Sequence, residues 1–188
     1  MTYFGWIVAV VALTLLTAGW VAFTATRLDR LHVRVDATFA ALDAALVRRA
    51  AALSRVVEVA GPDLEHDQAV ALSTSAERAR TAVGGWRAHA ENQVGKSVNE
   101  VAELRSQLPA RVDGPVHELS ESGMRVLMAR QFYNDAVRDT RALRTRRVAR
   151  LLHLAGHRDL PDFFDIDDST ELALSAPVVP APTPASKG

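Results

Sequence analysis

The side chains that could do chemistry in this sequence are few, and their spacing is poor for it. His153 and His157 stand four residues apart with Asp159 following. Two imidazoles beside Gly156 make a weak metal pattern, because a zinc site wants three or four ligands on a firm frame. Gly95-Lys96-Ser97 has the ending of a phosphate-cradling loop, but Ala90 occupies the place of its first glycine and no strand precedes it. Glu65-His66-Asp67 reads as solvated polar surface at the start of a helix. No serine, histidine and acid share a spacing suited to nucleophilic catalysis. Cysteine is absent, which removes disulfides, thiolate metal sites and cysteine nucleophiles together. The expectation is therefore a protein that is not an enzyme and uses no cofactor and no metal.

Charge excludes another class. Lys+Arg and Asp+Glu balance at 22 each, so no overall field attracts nucleic acid, and no nucleic-acid partner is expected. The one strong local excess lies between 138 and 150, where Arg138, Arg141, Arg144, Arg146, Arg147 and Arg150 face only Asp139. Their helical angles scatter around the axis, unlike the single face of a DNA reader. Only two of the 22 basic residues are lysine, Lys96 and Lys187, and alanine and valine abound. That skew is typical of a GC-rich bacterial genome.

The elements that must carry these residues are helical throughout. From residue 1 to residue 26 no side chain is charged. A bilayer core of about 30 Å takes about 20 residues of helix, so residues 3–26 are long enough for one crossing. Trp6 and Trp20, with Tyr3 and Phe23 beyond them, sit where an aromatic belt belongs. A cleaved signal peptide would want a basic leader and a shorter apolar run, so an uncleaved anchor is expected. Arg27, Arg30 and Arg34 follow the span directly, and positive flanks stay inside, which points to a cytoplasmic body behind a single-pass anchor. Leu28, Leu31, Val35, Phe39, Leu42, Leu46, Leu53, Val56 and Val57 then recur at helical spacing. The spanning helix should thus continue unbroken to Ala60, where Gly61-Pro62 stops it and Asp63 can cap the next. A second helix is predicted over 64–83, ended by Gly84-Gly85, and a third over 86–107. Pro109 and the stretch 111–115 make a further turn, and a fourth helix is predicted over 116–154. Short turns make consecutive helices antiparallel neighbours. The fold class is all-α: a transmembrane helix running into an antiparallel bundle of three to four long helices. Residues 1–26 form the anchor, 27–165 the bundle and 166–188 a disordered tail marked by Pro177, Pro180, Pro182 and Pro184. The two aromatics of PDFFDIDD (161–168) are expected to fold back onto the bundle.

Three blocks give these features a family likeness. VDATFAALDAALVRRAAAL, from Val35 through Arg48-Arg49, Glu91-Asn92-Gln93-Val94, and ARQFYNDAV, with Arg130 and Tyr133-Asn134, are the segments concerned. In that order, behind an N-terminal anchor, they resemble the LemA family of bacterial membrane proteins over about residues 1–165. The resemblance implies an anchored helical bundle and no catalytic mechanism. This chain departs from the family pattern at Ser54, Gly123 and 144–148, where proline, glutamate and a Phe-Pro pair are frequent.

Counted from the turns at Gly61 and Pro109, the three blocks fall at about the same height. Arg48, Arg49, Glu91, Asn92, Arg130, Tyr133 and Asn134 are accordingly expected to form a polar layer across the bundle. In it Arg130 or Arg49 would pair with Glu91, and the amides of Asn92 and Asn134 would be hydrogen-bonded. Such a layer sets helix register, since buried polar groups penalise slipped alignments. The arginine cluster, returning toward the membrane on the fourth helix, would join Arg27, Arg30 and Arg34 in a collar for anionic headgroups. The function that follows is a non-enzymatic scaffold or adaptor at the inner membrane face, partnered by the lipid bilayer and by another protein or itself. A self-assembling membrane-stress sensor or regulatory subunit is the alternative.

Overall fold

The structure, a computed structural model, describes residues 2–145 and 159–166. Among the described residues there is no strand. Four helices follow one another: α1 (Thr2–Ala60), α2 (His66–Thr81), α3 (Trp86–Leu104) and α4 (Asp113–Arg144). Single 3-10 turns at Gly61–Asp63 and Ala110–Val112 separate α1 from α2 and α3 from α4.

Helix α1 is 59 residues long because nothing interrupts it: no glycine or proline lies between Gly19 and Gly61. Its first third is apolar and faces outward, with Tyr3, Ile7, Leu13 and Leu16 all more than three-fifths exposed. This is the one helix among the described residues long and apolar enough to cross a membrane, with an 18-residue window of mean hydropathy 2.2. The four threonines within the stretch and at its end are compatible with that setting. Thr14, Thr17, Thr24 and Thr26 each donate their hydroxyl to the carbonyl four residues back, at 2.7–2.9 Å. A polar group in an apolar medium needs such an internal partner.

The chain forms two compact units, one of residues 1–42 with 129–164, the other of 43–128 with 165–188. In the first, Leu28, Val35 and Leu42 are buried at seven-residue intervals on α1, and Tyr133, Ala136, Val137, Thr140 and Leu143 are buried on α4. Spacings of three, four and seven are those of a helix–helix seam. Two contacts give its direction: Arg34 Nη1 meets Asp139 Oδ2 at 3.3 Å, and the Phe39 and Tyr133 rings lie 5.6 Å apart. Numbers rise on α1 as they fall on α4, so here the two run antiparallel.

In the second unit all four helices feed one apolar core. Ala50, Leu53, Val56 and Ala60 come from α1, Leu72, Ala76 and Ala79 from α2, Val94, Val98 and Val101 from α3, and Val116 and Leu119 from α4. Helices α2 and α3 form a hairpin across a four-residue link, 82–85, with the buried Ser75 and Ser97 hydroxyls 2.7 Å apart. Gly84 turns the link with a φ of +59°, a backbone conformation that costs side-chain-bearing residues about 1–2 kcal/mol. Asp63 and Arg111 form an ion pair that ties the two 3-10 turns together.

Two expectations at helix ends need correction. The residue that caps α2 is Glu65, whose backbone N–H donates to the Gln68 side-chain oxygen at 3.1 Å. Asp63 sits inside the preceding turn and pairs with Arg111 instead. Helix α4 starts at Asp113, three residues before the expected 116. Pro115 is no obstacle there, because the first turn of a helix has no use for its N–H. The expected continuation of α4 to 154 and the tail from 167 lie outside the described residues.

Candidate functional site

Two polar constellations are built on this frame. The first is in the second unit. Arg49, from α1, and Glu91, from α3, are almost fully buried with side-chain exposures of 1% and 0%, and their Nη2–Oε2 distance is 2.8 Å. The same nitrogen reaches the Glu91 carbonyl at 3.3 Å. Burial pulls the Arg49 guanidinium below its ordinary pKa, and Glu91 opposes that shift by charge and by hydrogen bond. Arg49, one of the two arginines expected beside Glu91, stands there.

A further arginine, absent from the sequence expectations, completes this group. Arg87, one turn before Glu91 on α3, places Nε 3.3 Å from Glu91 Oε1 and Nη2 2.8 Å from Asp43 Oδ1. Its Nη1 donates to the Ala82 carbonyl at 3.1 Å, bracing the α2–α3 link. Neither of its carboxylate contacts is aligned as a hydrogen bond, so they act mainly as charge. The sequence signal for Arg87 was its four-residue spacing to Glu91. Arg48 is exposed and donates to the Ala44 carbonyl of its own helix at 3.2 Å. Gly95-Lys96-Ser97 lies within α3 as ordinary helix, its Lys96 and Ser97 lining a shallow polar groove with Arg78 and Glu100.

The second constellation is in the first unit, and it is a grip on an extended stretch of chain. Asn134 on α4 uses both ends of its amide on one residue: Nδ2 donates to the Phe164 carbonyl at 3.0 Å, and Oδ1 accepts from the Phe164 N–H at 2.9 Å. Tyr133 donates its hydroxyl to the Asp162 carbonyl at 2.8 Å. Arg141 Nη2 meets Asp162 Oδ1 at 3.0 Å, and its guanidinium lies 5.2 Å from the centre of the Phe163 ring. Arg144 Nη1 donates to the Asp159 carbonyl at 2.7 Å. One face of α4 thus holds residues 159–164 by their main chain, one carboxylate and one ring. Tyr133 is itself set by Phe39. Its phenol pKa is raised, first by burial and then by the Asp162 carboxylate, while Arg141 opposes the shift.

The expected polar-layer residues are therefore divided between the units: Arg49, Glu91 and Asn92 belong to the second, Arg130, Tyr133 and Asn134 to the first. Asn134 spends its amide on Phe164. The fold-back expected of the aromatic segment takes the form of this grip, with Phe163 still 46% exposed.

Trp6 and Trp20 face outward, Arg27 and Arg30 are exposed, and Arg34 pairs with Asp139. The described half of the arginine cluster is engaged within the chain: Arg138 pairs with Asp135 at 2.6 Å, and Arg141 and Arg144 serve the grip. Arg146, Arg147, Arg150, His153 and His157 lie outside the described residues. Among those that are described, no group of three acidic or histidine side chains could hold a metal ion. Comparison of the chain with protein-family models, with curated proteins and with solved structures finds no match in any of the three.

Proposed function

We propose that this protein is a non-enzymatic scaffold or adaptor held at the inner face of a bacterial membrane by a single uncleaved span, its remaining helices an antiparallel bundle of the kind the LemA-like blocks imply. The observation that carries this reading is the continuity of α1. One helix runs without a break from outward-facing apolar residues into the core that it shares with α2, α3 and α4. A helix that only targeted the chain would have no reason to be built into the folded body.

In-cell crosslinking from the turns near Gly61 and Gly114, combined with fractionation of the full chain and a topology reporter fused to its C-terminus, tests the proposal. Membrane association resistant to alkaline extraction, a cytoplasmic reporter and one reproducible crosslinked protein are expected. A chain recovered in the soluble fraction would sink the anchor, and a reporter outside the cell membrane would reverse the orientation.

A further inference from the structure

We propose that the grip on α4 is a self-association site that accepts residues 159–164 of a second copy of this chain, exchanged for its own. The inference rests on the scaffold reading and gives it a partner.

What the grip recognises is stated by its bonds. Tyr133, Asn134 and Arg144 read main-chain groups of Asp159, Asp162 and Phe164, which any extended segment offers. Arg141 adds chemical selection, asking for a carboxylate followed by an aromatic ring. The partner segment is thus extended, acidic and aromatic, and Asp162-Phe163-Phe164 of this chain fits that description. Pro161 restricts Leu160 to extended backbone, which lowers the ordering cost of binding.

The contacts that hold residues 159–164 lie largely at the surface, with the buried side chain coming after them at Ile166. Leu160 and Phe163 are 44% and 46% exposed, and Asp159 and Asp162 are exposed as well. Most of the attachment is hydrogen bonds and an exposed ion pair, which water can replace. The connection from Thr145 is 146–158, thirteen residues. At about 3.3–3.6 Å per residue, thirteen residues set an upper limit of about 45 Å on that connection. Reciprocal exchange between two copies restores the grip contacts named above, which makes a closed twofold pair. A membrane surface favours it further by confining the copies.

The test uses two full-length variants carrying different tags, co-expressed and extracted in detergent. One loses the grip (Asn134→Ala with Arg141→Ala) and keeps the segment. The other keeps the grip and loses the segment (Asp162→Ala with Phe164→Pro, which removes the N–H that Asn134 accepts). The mixed pair should co-purify roughly tenfold better than either variant with itself, the scale of restoring a few polar contacts. Equal recovery of all three pairings overturns the proposal. A second measurement avoids disruptive substitutions: a photoreactive phenylalanine analogue at the exposed position 163 in two differently tagged, otherwise native copies. Adducts joining 163 to α4 of the other copy support exchange, and adducts confined to one chain overturn it. Both readouts work in soluble or membrane fractions, so failure of the anchor and failure of exchange remain distinguishable.

Discussion

Glu91 sits in the protein interior with an arginine at each oxygen, Arg49 at one and Arg87 at the other. Removing one partner of such a pair leaves an uncompensated buried charge, whereas replacing both with apolar groups does not. Glu91→Ala should therefore destabilise the protein by about 3–5 kcal/mol, measured by chemical denaturation. The double change Arg49→Met with Glu91→Leu should recover most of that loss, and equal loss in both would show that the pair does more than balance charge. Tyr133 offers a pH readout of the other constellation. Its folded pKa is raised, so its contribution to stability is complete below the ordinary tyrosine value of about 10 and declines as pH rises through the raised one. With Tyr3→Phe leaving a single phenol, spectrophotometric titration should give a midpoint above that of free tyrosine, and Asp162→Ala should lower it.

Among the elements, the α2–α3 link is the most demanding. A Cβ on Gly84 would meet no atom within 4 Å, so the cost of Gly84→Ala is conformational and not steric, about 1 kcal/mol or slightly more. Gly85 also has open space but an ordinary helical φ of −61°. Gly85→Ala should be neutral or stabilising by up to about 1 kcal/mol, and the contrast in thermal midpoints checks the assignment. The sequence made the breaks legible because Gly61-Pro62, Gly84-Gly85 and Pro109 are local signals. It was less informative at their edges: Pro115 suits the first turn of a helix as well as a loop, and the cap expected of Asp63 is supplied by Glu65. Arg49 with Glu91 was readable as a pair from residue type and height. Arg87 was legible only in its four-residue spacing to Glu91, because the rest of its role depends on Asp43, forty-four positions earlier, reaching the same guanidinium. Asn134 was singled out, but its hold on Phe164 was not legible, since nothing in a helical pattern says that an amide will hold the main chain of a segment thirty residues on.

For the whole molecule, balanced charge leaves the apolar start of α1 as the dominant physical fact. A chain with 22 basic and 22 acidic residues has no net field to hold it anywhere, and an outward-facing run such as residues 3–23 is costly in water. Leu13, exposed near the middle of that run, is where a charge should cost most. Leu13→Arg adds about 2.5–3.5 kcal/mol to insertion, on the scale for arginine at a helix centre. The variant should shift toward the soluble or degraded fraction, while Thr26→Arg, at the flank, should not. Equal partition of both variants with the parent chain would remove the span.

The way α4 holds Phe164 has a further consequence, for hydrogen exchange. The Phe164 amide is protected by a side chain and not by a helix carbonyl, so its exchange with solvent deuterium needs only the segment to lift. Amides inside α4 need that helix to open. The Phe164 rate relative to that of an unprotected amide therefore measures how often residues 159–164 are off their seat, and slower exchange within α4 shows that the fold beneath stays closed.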